Sequence, residues 1–471
     1  MLLVLLGLAT LVGFFVYPTY PNYDSLYSLI WGKEVLHGQM PQFAVYRGPT
    51  EHPLAIAFGA LMSVFGTGGD RLMVGATLAS FVALAAGLYR LAAAAFTPLV
   101  GVIAAALLCT RFDFAFLAAR GYIDIPYLAF VIWAAALETE RPRRGIPVFV
   151  LLTLASLMRP EAWLLTGLYW LWYVWPKGTP LRRRLGTLAL AASGPLLWAL
   201  VDLIVTGDPL YSLHSTSSLA EELGRANGLS AVPHATLAFL TSLDKANVLV
   251  VAAVGLALAV VLVPKRLGLS LLLLVIGLAT FGLVGLAGLS IIDRYLLVPS
   301  LMIMIFAGVA IGGWTMLQPG LVKRVWAAGC GVAVIAAAVS TLINLNLVHF
   351  QTELAFRGQY RTDLQRVLAD PKVRAGLRCG PISVPNHKLI PDIRWVTGFD
   401  QHEVIARSQA SEHRRTLSGV ALYVTNRLAV IRQAFVSSLD DPLTQVPLPG
   451  FHRVATVGYY GAYVRCLRHS S

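Results

Sequence analysis

The sequence predicts a polytopic α-helical membrane protein of about eleven transmembrane helices, followed by a small extracytoplasmic domain of mixed α/β character. Three observations carry this expectation. Of 471 residues, 57% are hydrophobic and only 13% are charged, about half the roughly 25% of an average soluble domain. Runs of Leu, Ala, Val and Gly recur along most of the length, as helices that satisfy their own backbone in lipid require. The formal charge of +13, from 37 Lys+Arg against 24 Asp+Glu, is spread over the loops between those runs. It forms no long basic tract, so nucleic acid is not an expected partner. The composition also excludes a disordered chain, a collagen-like fibre and a disulfide-knotted secreted domain.

The apolar runs lie near 2–17, 72–89, 97–110, 122–137, 146–158, 162–175, 185–205, 247–263, 267–289, 295–316 and 325–343. A further stretch, 53–65, either crosses or lies in the interface. Charge placement decides between these. If it does not cross, alternate loops hold Arg90; Arg141, Arg143 and Arg144; Lys177, Arg182, Arg183 and Arg184; Lys265 and Arg266; and Lys323 and Arg324. Such an excess marks cytoplasmic loops. If 53–65 crosses, all five basic loops move outside. The expectation is therefore an interfacial helix at 53–65, a cytoplasmic N-terminus and an extracytoplasmic C-terminus. No basic segment precedes the first run, so it reads as a retained signal-anchor rather than a cleaved leader.

This divides the chain into a transmembrane domain, 1–343, whose first outer loop is 18–71, and an extracytoplasmic domain, 344–471. A long connection at 206–246 lies on the outer side too. The tail holds strand-like runs at 419–425 and 454–464 and a helical pattern at 350–376. Cys109 and Cys330 fall within spans and read as small apolar residues. Cys379 and Cys466 lie in the tail, where an oxidising compartment permits a disulfide; spacing alone leaves their pairing open. There is no CxxC, HExxH or Walker pattern, and Gly66-Thr67-Gly68-Gly69 reads as a turn.

Bilayer logic leaves several outer polar residues unexplained. Asp24 follows the first span and opens a helical pattern at 25–37 that carries apolar Leu26, Leu29, Ile30 and Leu36, expected as an amphipathic interfacial helix. Its side chain is either a helix N-cap or a carboxylate placed to act as a general base at the water–lipid boundary. The same loop ends in Arg47-Gly-Pro-Thr-Glu51-His52-Pro53. The second outer loop carries Arg111, Asp113, Arg120 and Asp124, the last either a helix-start residue or a site residue. The third is the tight turn Met158-Arg159-Pro160-Glu161, whose charges either pair locally or serve a substrate. Arg294, in Asp293-Arg294-Tyr295, heads an outer span end. It either snorkels or binds phosphate through bidentate hydrogen bonds. Several outer loops thus bring carboxylates and guanidiniums to one membrane face. That pattern suits group transfer from a lipid phosphate.

In these motifs the chain resembles the GT-C superfamily of polyprenyl-phosphate-sugar-dependent glycosyltransferases, in the branch of protein O-mannosyltransferases and aminoarabinose transferases. The matching elements are Asp24 with Tyr27 and Lys33-Glu34-Val-Leu-His37-Gly, then Glu51-His52-Pro53-Leu54, Arg120-Gly-Tyr-Ile-Asp124-Ile-Pro126, and Arg294-Tyr295-Leu-Leu-Val-Pro299. The likeness covers about residues 1–310. Two departures stand out: Ser25 follows Asp24 where relatives often place a second acid, and Glu51-His52 replaces a usual lysine.

The resemblance implies a GT-C-like fold and an inverting transferase. It would move one sugar, mannose or arabinofuranose-like, from a polyprenyl-phosphate donor to a saccharide, lipid or protein acceptor outside a bacterial plasma membrane. Asp24 would be the catalytic base. Arg294, Arg120 and Arg159 would bind the donor phosphate. His52, Glu51, Asp124, Tyr27, Tyr295 and Glu161 would contact substrate. No metal or other cofactor is expected, although Asp124 and Asp24 together could hold a divalent cation. The alternative is a transporter or flippase of a lipid-linked saccharide; the chain shows no internal repeat of the kind such folds carry.

Overall fold

The computed structural model describes residues 2–175, 179–331, 347–409, 415–432 and 449–467. The expected cytoplasmic charge at Lys177 and most of the expected span at 325–343 lie outside them. Contacts divide the chain into two compact units.

The first unit comprises Met1–Phe14, His52–Leu54 and Gly75–Phe350. In chain order the helices are α1 (Leu2–Val16), α2 (Tyr23–Leu36), α3 (Pro53–Ser63), α4 (Gly69–Ala95), α5 (Pro98–Thr110), α6 (Phe112–Ala119), α7 (Asp124–Glu140), α8 (Ile146–Met158), α9 (Glu161–Val174), α10 (Leu181–Thr206), α11 (Tyr211–Glu222), α12 (Val232–Asp244), α13 (Ala246–Leu262), α14 (Gly268–Leu286), α15 (Leu297–Gly312) and α16 (321–331). Of these, α2, most of α3 and the first turns of α4 belong to the second unit. Helix α15 is the centre of the first unit. The apolar window of the stretch Asp293–Met316 is 89% buried, against 22% for the peripheral Leu181–Thr206. Glycines let neighbours approach it: a Cβ on Gly255 of α13 would collide with the Phe306 carbonyl. Such small-residue contacts are how helices pack without a hydrophobic driving force between them.

The span count of eleven is not confirmed. Among the described residues, four helices are long and apolar enough to cross a membrane, or up to six if each of two bent pairs is one span. The pairs are α5 with α6, bent by 65°, and the stretch Leu229–Asp244 with α13, bent by 100°. In the sequence these breaks appear only as the ends of apolar runs, at 110 and 247, and the helices on their far sides, α6 and Leu229–Asp244, fall in what reads as connections. The outer connection expected at 206–246 is itself helical, in α11 and α12. Helix α3 has 11 residues, about 16 Å at 1.5 Å per residue. That is half the roughly 30 Å of a hydrocarbon core, so it is too short to cross.

The second unit comprises Phe15–Glu51, Ala55–Val74 and Gln351–Ser471. Its later elements are α17 (Leu347–Ala369), α18 (Pro371–Gly376), β1 (Ile382–Val384), α19 (Ile390–Thr397), β2 (Val404–Ala406), β3 (Gly419–Val424), α20 (Arg427–Arg432), β4 (His452–Val457) and β5 (Tyr460–Arg465). The sheet order is β2-β1-β3-β5-β4. β1 runs parallel to β2 and β3; β5 is antiparallel to β3 and β4. Cys379 and Cys466 form a disulfide across 87 residues. It joins the approach to β1 to the end of β5.

First loop and tail share one core. Leu26, Leu29 and Ile30 of α2 pack with Leu364, Val384, Ile393, Val420 and Leu422. Residues 25–32 are therefore buried on every side, rather than along one amphipathic stripe. On one side α2 meets α3 so closely that a Cβ on Gly32 or Gly59 would strike the opposing backbone. On another it meets α19, where Arg394 donates to Glu34 at 2.9 Å. Arg361 donates to Asp70 at 3.1 Å and Asp392 at 3.2 Å and lies over the Tyr20 ring. Buried charges persist when paired like this.

Candidate functional site

In the first unit, the charged residues of three separate loops converge. Asp124 opens α7 after a turn in which Gly121 has φ +66°, a conformation that favours glycine. The Asp124 carboxylate is fully buried. It accepts hydrogen bonds from Arg159 Nη1 and, at 3.4 Å, from Arg294 Nη1. Arg159 ends α8 and Glu161 begins α9, and Arg159 Nη2 donates to Glu161 Oε1 at 2.6 Å. The tight turn therefore does form its local ion pair, and it adds a second pair with Asp124. Arg294 sits in the 3-10 turn Asp293–Leu296 that leads into α15.

Aromatic rings frame the cations. Arg159 lies 5.0 Å from the Tyr295 centroid and 5.7 Å from that of Tyr127. Arg294 lies 5.5 Å from that of Tyr122. Such contacts hold a guanidinium plane by cation–π attraction. Two carboxylates and two guanidiniums balance in formal charge. That balance suits a buried site, where an unpaired ion is expensive. Beside them opens a cleft lined by Tyr127, Arg159, Glu161, Thr280, Arg294 and Tyr295 among others. Arg294 is the more accessible cation: its side chain is 26% exposed, against 9% for Arg159.

Of the expected site residues, Arg294, Arg159, Asp124, Glu161 and Tyr295 are thus brought together. His52 packs edge-on against Trp198 at 5.6 Å. Arg120 is buried at the C-cap of α6 and does not line the cleft. Sequence reasoning missed Tyr127, Tyr122 and Thr280. Tyr127 had a signal, since it lies three residues after Asp124 and so shares its helix face. Thr280 had none.

The remaining expected residues lie in the second unit. Asn22, not Asp24, caps α2: its side chain accepts from Ser25 N at 3.2 Å. Asp24 is the second helical residue, half-buried, with its carboxylate in the positive first turn. The capping alternative for Asp24 is thereby removed. Its neighbour Tyr23 donates to the Arg47 carbonyl at 2.9 Å and packs edge-on to Tyr27 at 5.0 Å and to His387 of the tail at 5.6 Å. Tyr27 is fully buried, and burial pushes its phenol up to about 12. Glu51 is buried as well. Among the described residues, no group of three or more His, Cys, Asp or Glu side chains is placed to hold a metal ion.

No protein-family model matches the sequence, and no curated protein matches it. Solved structures do. ArnT from Cupriavidus metallidurans, an aminoarabinose transferase solved with undecaprenyl phosphate bound, matches with a TM-score of 0.54 and 13% identity over 98% of this chain and 97% of that one. The Archaeoglobus fulgidus oligosaccharyltransferase in its apo form matches with a TM-score of 0.56 and 11% identity, over 99% of this chain and 74% of that one. The same oligosaccharyltransferase tethered to an acceptor peptide gives 0.53 and 12%, over 95% and 70%. The chain therefore shares the fold of these solved structures, mostly helical with a small C-terminal sheet.

Proposed function

We propose that this chain is an inverting glycosyltransferase. It moves a single sugar, mannose or arabinofuranose-like, from a polyprenyl-phosphate donor to an acceptor hydroxyl of an envelope glycan, glycolipid or protein. In this reading the reaction takes place at the outer face of a bacterial plasma membrane, with the N-terminus cytoplasmic and the C-terminal domain outside. The observation that carries the reading is the Asp124–Arg159–Arg294 cluster at the cleft. It presents the partly exposed Arg294 guanidinium at the cleft, framed by tyrosines, on a fold shared with a structure holding undecaprenyl phosphate.

The chemistry follows from those charges. Asp24 takes the proton of the acceptor hydroxyl as its oxygen attacks the anomeric carbon. The bond from that carbon to the phosphate oxygen breaks on the opposite face, and its electron pair leaves with polyprenyl phosphate. The stabilising charge is guanidinium rather than a divalent cation. Arg294 meets the leaving phosphate, and Arg159 holds Asp124 and, through it, Arg294. Preorganised charge in a dry site is the largest contribution an enzyme makes to such a step. Asp124, Glu161, His52, Tyr295, Tyr27 and Glu51 shape the substrate pockets.

The test is transfer from a polyprenyl-phosphate sugar by the purified protein, with undecaprenyl phosphate binding measured beside it. One observation favours a second reading: the two bent helix pairs are a feature that a lipid-linked saccharide transporter would also use. Donor consumption with sugar transfer decides for the enzyme. Movement of intact donor across a vesicle membrane decides for the transporter.

A further inference from the structure

Tyr127 stands on α7, three residues past Asp124 and directly after Pro126. It is only 6% exposed, and it lines the cleft with Arg159, Glu161, Arg294 and Tyr295. Its ring already has a structural task, because the Arg159 guanidinium lies 5.7 Å from the centroid. A phenylalanine would serve that task equally, since the attraction is to the ring face. The hydroxyl has no such task. Among the described residues it makes no hydrogen bond, yet its oxygen is not sealed off from solvent. A polar group at this depth normally has a partner. The cleft supplies the space for one.

The neighbouring charges say what kind of partner fits. Every side-chain nitrogen of Arg159 is committed to a carboxylate. Nη1 donates to Asp124, while Nη2 and Nε donate to Glu161 at 2.6 and 3.1 Å. Arg159 therefore meets the Tyr127 ring as one half of a filled ion pair, not as a cation awaiting an anion. Glu161 lines the same cleft. An oxyanion brought to the Tyr127 hydroxyl would approach that carboxylate and be repelled. A neutral polyol would not be. Its hydroxyls accept from a phenol and donate to a carboxylate. Arg294 remains the partly exposed cation, suited to a phosphate. A glycosyl phosphate presents both groups on one molecule.

We propose that the Tyr127 hydroxyl binds a hydroxyl group of the donor's sugar and, together with Glu161, sets which sugar the cleft admits. The inference rests on the glycosyl-transfer reading and deepens it, by assigning the sugar-recognising side of the cleft. A site built to pair a substrate hydroxyl discriminates against a sugar that lacks it, because the protein's own polar group is then left unpaired.

The test compares wild type, Tyr127→Phe and Arg294→Ala as full-length proteins in detergent. Three quantities are measured: unfolding temperature, affinity for undecaprenyl phosphate, and affinity for undecaprenyl phosphate carrying mannose or arabinofuranose, whichever the wild type consumes. Tyr127→Phe should unfold at the wild-type temperature and bind undecaprenyl phosphate as the wild type does. Its affinity for the sugar-bearing lipid should fall by about fivefold, the size of one hydrogen bond. Arg294→Ala should weaken binding of both lipids. A Tyr127→Phe protein that binds both lipids as the wild type does would overturn the inference and leave the functional reading intact. So would one that loses both affinities equally, since the hydroxyl would then serve the phosphate. Unfolding at a clearly lower temperature would overturn it too, because the hydroxyl would then be structural. A wild type that consumes neither donor overturns the functional reading, and this inference with it.

Discussion

Arg294 donates from Nη1 to Oδ2 of Asp124 at 3.4 Å, across 170 residues of sequence. Arg159 holds the other oxygen of the same carboxylate. One buried acid therefore positions two cations from two different turns.

Asp124→Asn removes the charge that both guanidiniums share. Breaking a buried pair by neutralising one partner costs about 3–5 kcal/mol. The variant should unfold at a clearly lower temperature in detergent, and it should bind undecaprenyl phosphate in an altered geometry with reduced transfer. An unchanged unfolding temperature would show that the pairing contributes little.

Arg294→Ala should leave the fold in place, since the side chain is partly exposed and Asp124 retains Arg159. A hydrogen bond to a charged group contributes about 1.5–3 kcal/mol. Affinity for undecaprenyl phosphate should therefore fall by about tenfold or more. Titration of the lipid against the purified variant reads this directly, and an unchanged Kd would remove Arg294 from the phosphate site.

The tail grips α2 through Arg394 and Glu34, at 2.9 Å and nearly dry. Glu34→Arg or Arg394→Glu alone should each destabilise the protein by about 3 kcal/mol and lower kcat more than donor affinity. The double exchange should recover much of both. Failure of the pair to recover anything that the single variants lost would mean that the contact is incidental.

The Cys379–Cys466 bridge closes a long loop. Chain-entropy arguments give such closure about 4 kcal/mol of stabilisation. Changing both cysteines to serine should lower the unfolding temperature. Reductant should reproduce the shift in the wild type and have no effect on the variant.

Tyr27 adds a pH dependence of definite sign. Its phenol is raised from 10 to about 12 by burial, so the folded state favours the protonated form. That contribution is complete below pH 10 and is lost as pH rises through about 12. Tyr27→Phe should flatten the alkaline limb of the stability curve and leave neutral pH unaffected.

Much of the site was legible in sequence because membrane proteins confine charge to a few places. Once the cytoplasmic set was assigned, Arg159, Glu161, Arg294 and Asp124 stood out as charges that orientation did not explain. The Arg159–Glu161 pair could be read locally, being two residues apart. The union of Asp124 with Arg159 and Arg294 could not, since it depends on how α7, α8 and α15 pack. The same holds for α2. Its apolar residues suggested a surface helix, yet Leu26, Leu29 and Ile30 bury against strands nearly 400 residues later. The apolar runs end at the breaks after Thr110 and Asp244, but the helices on the far sides, α6 and α12, were not legible because they fall in stretches that read as connections.

The central claim is that Asp24 is the base for glycosyl transfer, and Asp24→Asn tests it most directly. Wild type and variant are compared for binding of undecaprenyl phosphate and for sugar transfer from a polyprenyl-phosphate donor. Asparagine keeps the shape and removes the basicity. The expected result is normal folding and lipid binding with transfer reduced by at least a hundredfold, within the range for loss of a general base. Transfer within a fewfold of wild type would contradict the account.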